Sequence, residues 1–318
     1  MKSLNIAYFG SSYFSASLLE QILTDKELPV KLKFVVTQPD QPVGRKQILT
    51  PTPVKIMAEK YFKSEDIKFF AVCGFPSKNF DIELKNIDIA LVYAFGEVIP
   101  KNILSLPKYG FWNIHPSLLP KYRGPSPIAI PLINGDETTG VTIIKMDEEI
   151  DHGPIIAQQS LTIEKTDKRP DLEKKLTNLG FEMFKKIVGE RTKFFATWDI
   201  PLGEGSHGDK KIRSEPFIAQ NHKLATYTKK LTKQDGFVEI SKLKDQISKN
   251  SEELFNLFRG LYPWPGIWTI LPNGKRLKIT GLNIVRNKNL CSLQIKRVQL
   301  EDKNEVDFET FKRAYKIF

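Results

Sequence analysis

The 318-residue, 36.4 kDa chain is 41% hydrophobic and 27% charged, a balance that excludes a fibrous or disordered protein and is long enough for two packed cores. Its longest apolar runs, such as residues 87–95, fall far short of the roughly 20 residues a membrane helix needs, so no membrane partner is expected and a cytoplasmic location is read. Cys73 and Cys291 are too few for a disulfide scaffold, and His115, His152, His207 and His222 show no i, i+4 pairing, so reduced thiols and no metal are expected.

Short apolar runs alternate with helix-length amphipathic stretches from the start of the chain: a strand at 4–9, a helix near 14–23, a strand at 32–37, a helix near 54–62, a strand at 87–94. Such alternation predicts βαβ units around a parallel sheet. Ile89, Ala90, Leu91 and Val92 form a continuous rather than alternating run, as strands covered on both faces do. Further strands are predicted at 111–114, 140–146 and 154–159, and a long helix at 170–188. The fold class is therefore α/β, a doubly wound, mostly parallel sheet of Rossmann-like form, in a first domain spanning residues 1–200.

Residues 201–211, PLGEGSHGDKK, are rich in Gly and charge without hydrophobic period, and a linker is expected over 201–222. Beyond it, β-like segments at 236–240, 267–271, 276–284 and 290–298, with one helix at 251–259, predict a small barrel of the oligonucleotide-binding kind in residues 223–318. Charge follows this division. Residues 1–208 carry 26 Lys and Arg against 25 Asp and Glu, a net +1, while residues 209–318 carry 22 against 12, a net +10. Basic residues concentrated in this way suit a polyanionic partner, although a solvated lysine-rich face has the same composition.

The first βα turn, Phe9-Gly10-Ser11-Ser12-Tyr13-Phe14, lacks the glycine spacing of a dinucleotide site, and no phosphate-cradling G-x-x-x-x-G-K-[ST] loop occurs. The informative stretch is Gly110–Pro127, GFWNIHPSLLPKYRGPSP. Two residues apart on a strand project to one side, so Asn113 and His115 point together and Trp112 and Ile114 oppose them. Asp151, in a loop between two β-like runs, is a candidate third partner. An Asn, a His and an Asp suit acyl transfer to an amine: Asn113 donates to the oxyanion, His115 polarises the acyl group or accepts the amine proton, and Asp151 holds or charges the imidazole. Spacing alone leaves the ordinary readings open: a turn-forming Asn, a structural His before Pro and a solvated acidic loop.

Residues 113–127 closely resemble the N-x-H-x-S-L-L-P-x-[YFW]-R-G signature of the folate-dependent formyltransferases, and Gly140-Val-Thr-Ile-Ile-Lys-Met-Asp147 with Asp151 and Gly153 resembles a second signature of that family. The resemblance implies that Asn113, His115 and Asp151 are the catalytic triple. It also implies that Ser117, Leu118, Leu119 and Pro120, with Phe95, Gly96 and Val98 of the loop at 94–100, hold 10-formyltetrahydrofolate. Residues 39–55, PDQPVGRKQILTPTPVK, look like the insertion of members that act on tRNA, with Arg45 and Lys46 at its basic positions. Residues 225–233 and 262–266 resemble that group's second domain. The implied acceptor is initiator methionyl-tRNA and the implied state a monomer. Two departures occur: Ser11-Ser12 where Thr-Pro is common, and Pro125-Ser126 where two alanines are usual. The alternatives are an N-formyltransferase acting on sugar nucleotides and an RNA-binding protein with a vestigial folate site.

Overall fold

The computed structural model describes residues 3–44, 46–61, 68–71, 78–190, 217–249, 251–287 and 290–315. They form two compact units, one of Met1–Arg123, Gly140–Ser160 and Lys175–Thr226, the other of Gly124–Thr139, Leu161–Lys174 and Tyr227–Phe318.

The first unit is built on seven strands: β1 (Leu4–Gly10), β2 (Val30–Thr37), β5 (Lys68–Ala71), β6 (Ile89–Tyr93), β7 (Phe111–His115), β8 (Thr138–Lys145) and β9 (Ile155–Thr162). They lie in the order β5-β2-β1-β6-β7-β8-β9, with β3 (Gln41–Val43) and β4 (Ile48–Thr50) in a separate antiparallel hairpin. The pairs β1–β2, β1–β6, β2–β5 and β6–β7 are parallel, and β7–β8 is antiparallel. This is the expected doubly wound, mostly parallel sheet. Because β1 sits between β2 and β6, the winding direction reverses there, and the loops after β1, β6 and β7 open at one carboxyl edge, where such sheets bind ligands.

Local chemistry explains the elements. In β1 every residue but Asn5 is buried, as in a strand covered on both faces. Helix α1 (Tyr13–Thr24) starts where the Ser12 side chain accepts from Ser15 N, and buries Ser15, Ala16, Leu18, Leu19 and Ile22 at helical spacing. Helices α2 (Pro53–Tyr61), α3 (Lys78–Lys85), α4 (Lys101–Leu104) and the long α6 (Arg169–Gly189) complete this unit's framework, and α5 (Ala129–Asn134) belongs to the second. Phe9 is the hub of one core cluster, edge-on to Phe80, Phe95 and Phe111 at ring centroids of 6.5, 5.5 and 5.0 Å. Each such buried ring contributes about 1.5–3 kcal/mol. Phe95 thereby anchors the loop after β6 in the core.

The second unit carries an antiparallel sheet in the order β10 (Ile267–Ile270), β11 (Arg276–Asn287), β12 (Leu290–Leu300), β13 (Glu305–Asp307), with helices α7 (Ile240–Ser248), α8 (Glu252–Leu261) and α9 (Phe308–Tyr315). Where the small barrel is expected, the described residues show this four-stranded antiparallel sheet. Its core includes Leu243, Leu254, Phe258, Leu277, Val298 and Phe311.

One expectation is corrected. Residues 236–240 do not form a strand. The Thr232–Asp235 capping box folds a 3-10 turn over Lys233–Gly236, Phe237 makes one bridge to Trp268, and α7 follows, because Ile240, Leu243 and Ile247 repeat at helical rather than strand spacing. Residues 124–139 and 161–174 belong to the second unit. Helix α5 lies against α8 at Gly260, where a Cβ would come within 2.5 Å of Ile133 and 2.7 Å of the Ala129 carbonyl. Near the end of the expected linker, Ile218 pairs with Ile155 through N–H···O bonds of 2.8 and 2.9 Å. Residues 191–216, with the rest of that linker, and Cys73 lie outside the described residues.

Candidate active site

Strand β7 sets the site by simple alternation. Trp112 and Ile114 are buried on one side, while half-buried Asn113 and His115, 4% exposed, share the other. The β7–β8 register places Asn113 opposite Ile144 and His115 opposite Thr142, so the loop leaving β8 starts beside the polar pair. That loop folds back because residue 153 is glycine: a Cβ there would stand 1.8 Å from the Lys145 carbonyl oxygen. The Lys145 N–H donates to the Pro154 carbonyl at 3.0 Å and closes the turn.

Asp151 thus reaches the pair. The Asn113 amide Nδ2 donates to Asp151 Oδ1 at 3.1 Å, and the same oxygen lies 3.4 Å from His115 Nδ1. The other imidazole nitrogen, Nε2, stands 3.0 Å from the Tyr122 carbonyl. A carbonyl only accepts, so Nε2 carries a proton and Nδ1 is the nitrogen turned toward Asp151. The structure therefore brings together the three residues that sequence spacing could only suggest. Tyr122 and Asp151 both have positive φ, 64° and 50°, and so does Ala94 at the end of β6, 49°. Left-handed backbone at non-glycine residues costs about 1–3 kcal/mol each and collects where surrounding structure holds a functional geometry.

The expected folate residues separate into shapers and surfaces. Ser117 is fully buried, and its hydroxyl donates to the Lys121 carbonyl at 2.7 Å. Leu119 is buried too, with its N–H on the Thr142 hydroxyl at 3.1 Å. Thr142 donates in turn to the Ser117 carbonyl at 2.6 Å, and the Gln158 amide donates to both Thr142 Oγ1 (2.8 Å) and the Leu119 carbonyl (2.9 Å). Leu118 and Pro120 are half-buried. Phe95 is in the core, whereas Gly96 (φ 85°) and Val98, 79% exposed, lie at the surface. Ser11 joins the loops after β1 and β6: its hydroxyl donates to the Phe95 carbonyl at 2.9 Å and accepts from Gln38 N at 3.2 Å. Ser12, its neighbour in the departure from Thr-Pro, is the cap of α1.

Residues 39–55 contain the β3–β4 hairpin. Lys46 is exposed on its turn, beside exposed Val43, Ile48 and Leu49; Arg45 lies outside the described residues. Thr142 stood inside the second signature with no role assigned, and spacing gave no sign of Gln158, Gln220 or the His152–His222 pair, whose rings stack at 3.9 Å. Arg123 stood inside the signature, but only the fold shows it 1% exposed, with Nη2 donating to Gln220 Oε1 at 2.6 Å. Among the described residues, no three of His, Cys, Asp and Glu are grouped to hold a metal ion, and no helix is long and apolar enough to cross a membrane.

Comparison with known proteins shows the family. Residues 1–188 match the family described as Formyl transferase, and residues 230–292 match Formyl transferase, C-terminal domain. The methionyl-tRNA formyltransferase of Caldicellulosiruptor saccharolyticus is 34% identical, covering 99% of this chain and 98% of its own. That of Halothermothrix orenii is 35% identical over 87% of this chain and 78% of its own. Among solved structures, a 4-N formyltransferase from Francisella tularensis superposes with a TM-score of 0.60 at 18% identity, covering 87% of this chain and 96% of its own. An N-formyltransferase from Helicobacter canadensis, in complex with folinic acid and dTDP-3-aminofucose, gives 0.58 at 20% identity over 94% of each chain. These two share the fold. With more than half its length matched by one family and a near full-length relative at 34% identity, the chain belongs to the formyl transferase family.

Proposed function

We propose that this enzyme transfers the formyl group of 10-formyltetrahydrofolate to the α-amine of methionine on initiator tRNA. The observation that carries the chemistry is the position of Asp151 Oδ1, shared between the Asn113 amide and the His115 imidazole. The amine attacks the formyl carbon, a new N–C bond forms as the bond from formyl carbon to the folate nitrogen breaks, and the proton lost by the amine is carried to that nitrogen. Asn113 gives one amide N–H to Asp151 and keeps its second for the formyl oxygen as negative charge develops there. His115 donates from Nε2 to the Tyr122 carbonyl, which leaves Nδ1, beside Asp151, as the nitrogen assigned to take the amine proton. Asp151 at Nδ1 and the Tyr122 carbonyl at Nε2 then flank the imidazolium with acceptors.

The folate donor is read against Gly96, Val98, Leu118 and Pro120, the residues of the two implied segments that have surface to offer. The choice of amine is supported by the relatives named methionyl-tRNA formyltransferase, by the exposed Lys46 hairpin and by the net +10 of residues 209–318. Arg45 and Lys46 are assigned to the tRNA backbone, which positions without reading sequence. The division into a catalytic domain at 1–200, a linker at 201–222 and a tRNA-binding barrel at 223–318, the monomeric state and the cytoplasmic location belong to the same proposal.

The test is transfer of labelled formyl from 10-formyltetrahydrofolate to methionine-charged initiator tRNA, beside uncharged tRNA and a thymidine diphosphate amino sugar. Label on charged tRNA alone is expected. Label on the sugar alone would keep the catalytic triple and overturn the acceptor. Asn113→Ala is expected to lower kcat by about 100- to 1000-fold in a folded protein.

A further inference from the structure

Two loops deliver the reacting groups. One passes through Tyr122, whose carbonyl fixes His115, and the other through Asp151; both backbones are held left-handed at those residues. A strap at 217–226, which overlaps the end of the expected linker, ties both. Thr226 accepts from Tyr122 N at its hydroxyl (2.8 Å) and from Arg123 N at its carbonyl (2.9 Å), and its own N–H donates to the Pro120 carbonyl (3.2 Å). At the other end Ile218 is paired with Ile155.

Between these ends lies Gln220, 5% exposed. Its amide nitrogen donates to the carbonyls of Asp151 (2.9 Å) and Gly153 (2.7 Å), and its amide oxygen accepts from Arg123 Nη2 (2.6 Å). The orientation is fixed by chemistry. Turning the amide over would set its oxygen against two carbonyls and its NH2 against a guanidinium, leaving every contact repulsive. One side chain therefore joins the residue after Tyr122 to the backbone that immediately follows the Asp151 side chain, at the carbonyls of Asp151 and Gly153. We propose that Gln220 is a positioning residue, which acts through Asp151 by pinning its backbone so that the carboxylate stays within reach of both Asn113 and His115. Neither family signature includes it, and it lies 69 positions from Asp151. The inference rests on the catalytic reading of Asp151.

A double-mutant cycle tests it by single-turnover formyl transfer. Gln220→Ala is expected to lower kcat by about 100-fold, the usual consequence of an ångström of misplacement, while KM for both substrates stays within about twofold. Gln220→Glu keeps the size and the Arg123 contact but replaces the two donors with an oxygen facing two carbonyls; it is expected to lose a similar factor, and it carries the same cycle should the alanine variant not fold. In an Asp151→Asn background either change is expected to cost less than about threefold, because the carboxylate it positions is gone. An equal cost in both backgrounds, or a folded Gln220 variant with wild-type kcat, would overturn the proposal. A wild-type rate in Asp151→Asn alone would instead overturn the catalytic reading on which it stands.

Discussion

Replacing Gly153 with alanine tests whether the turn that returns Asp151 to β7 sets the catalytic geometry. The glycine does not adopt a left-handed φ, so the substitution probes space alone. The new Cβ would lie 1.8 Å from the Lys145 carbonyl oxygen, where 3.0 Å is the floor for real contacts, so one side must move by roughly 1.2 Å. Lys145 is fixed in β8 by its pairing with Trp112, and Met146 N–H donates to the Phe111 carbonyl at 2.8 Å, so the loop is the part that yields. Asp151 is two residues away, and a shift of that size breaks its 3.1 and 3.4 Å contacts with Asn113 and His115. Misplacement by about 1 Å costs about 100-fold in rate. The overpacking itself costs about 1–3 kcal/mol, and at about 2–4 °C per kcal/mol Tm falls by roughly 2 to 12 °C. Steady-state formyl transfer and calorimetry measure the two effects separately. A variant with lowered Tm and wild-type kcat would show that the loop position does not control catalysis and refute the reasoning; an unchanged Tm as well would refute the steric argument.

Thr142→Val keeps the shape but removes a buried hydroxyl that serves the Ser117 carbonyl, Leu119 N–H and Gln158 amide. Stability should fall by about 1–3 kcal/mol, and KM for the folate donor should rise with KM for tRNA unchanged, as denaturant titration and initial rates would show. Asp235 is held down to about 2 by the Lys229 ammonium and by the hydroxyl and N–H of Thr232. A carboxyl depressed in the folded state stabilises above its ordinary value and loses that contribution as pH falls toward the lowered one. Asp235→Asn should therefore melt below the wild type at pH 7, with the gap closing between about pH 4 and about pH 2; a gap independent of pH would contradict this. Finally, KM for charged tRNA should climb steeply with salt while KM for the folate stays flat, and alanine at both Arg45 and Lys46 should shallow the tRNA slope by about two phosphate contacts.

The doubly wound sheet was legible because continuous runs such as residues 89–92 and the helical spacing of α1 are local patterns that burial reads directly. The same is true of the Asn113–His115 pair, which needs only the two-residue repeat of a strand. Residues 236–240 misled because their apolar spacing is shared by a strand end and a helix start, and the capping box decided between them. The family signatures located Asp151 as a candidate, yet its contact with Asn113, 38 positions earlier, and with His115 depends on the β7–β8 register and on the space left by Gly153. Gln220 carried no signal at all, lying where composition suggested a linker. The sequence by itself determined the elements, the fold class and the residue types available for formyl transfer, because periodicity, capping and side-chain chemistry act over a few residues. Only the tertiary structure decided which of them meet and what holds them there, because register, close backbone approach and a returning strap are fixed by packing between distant segments.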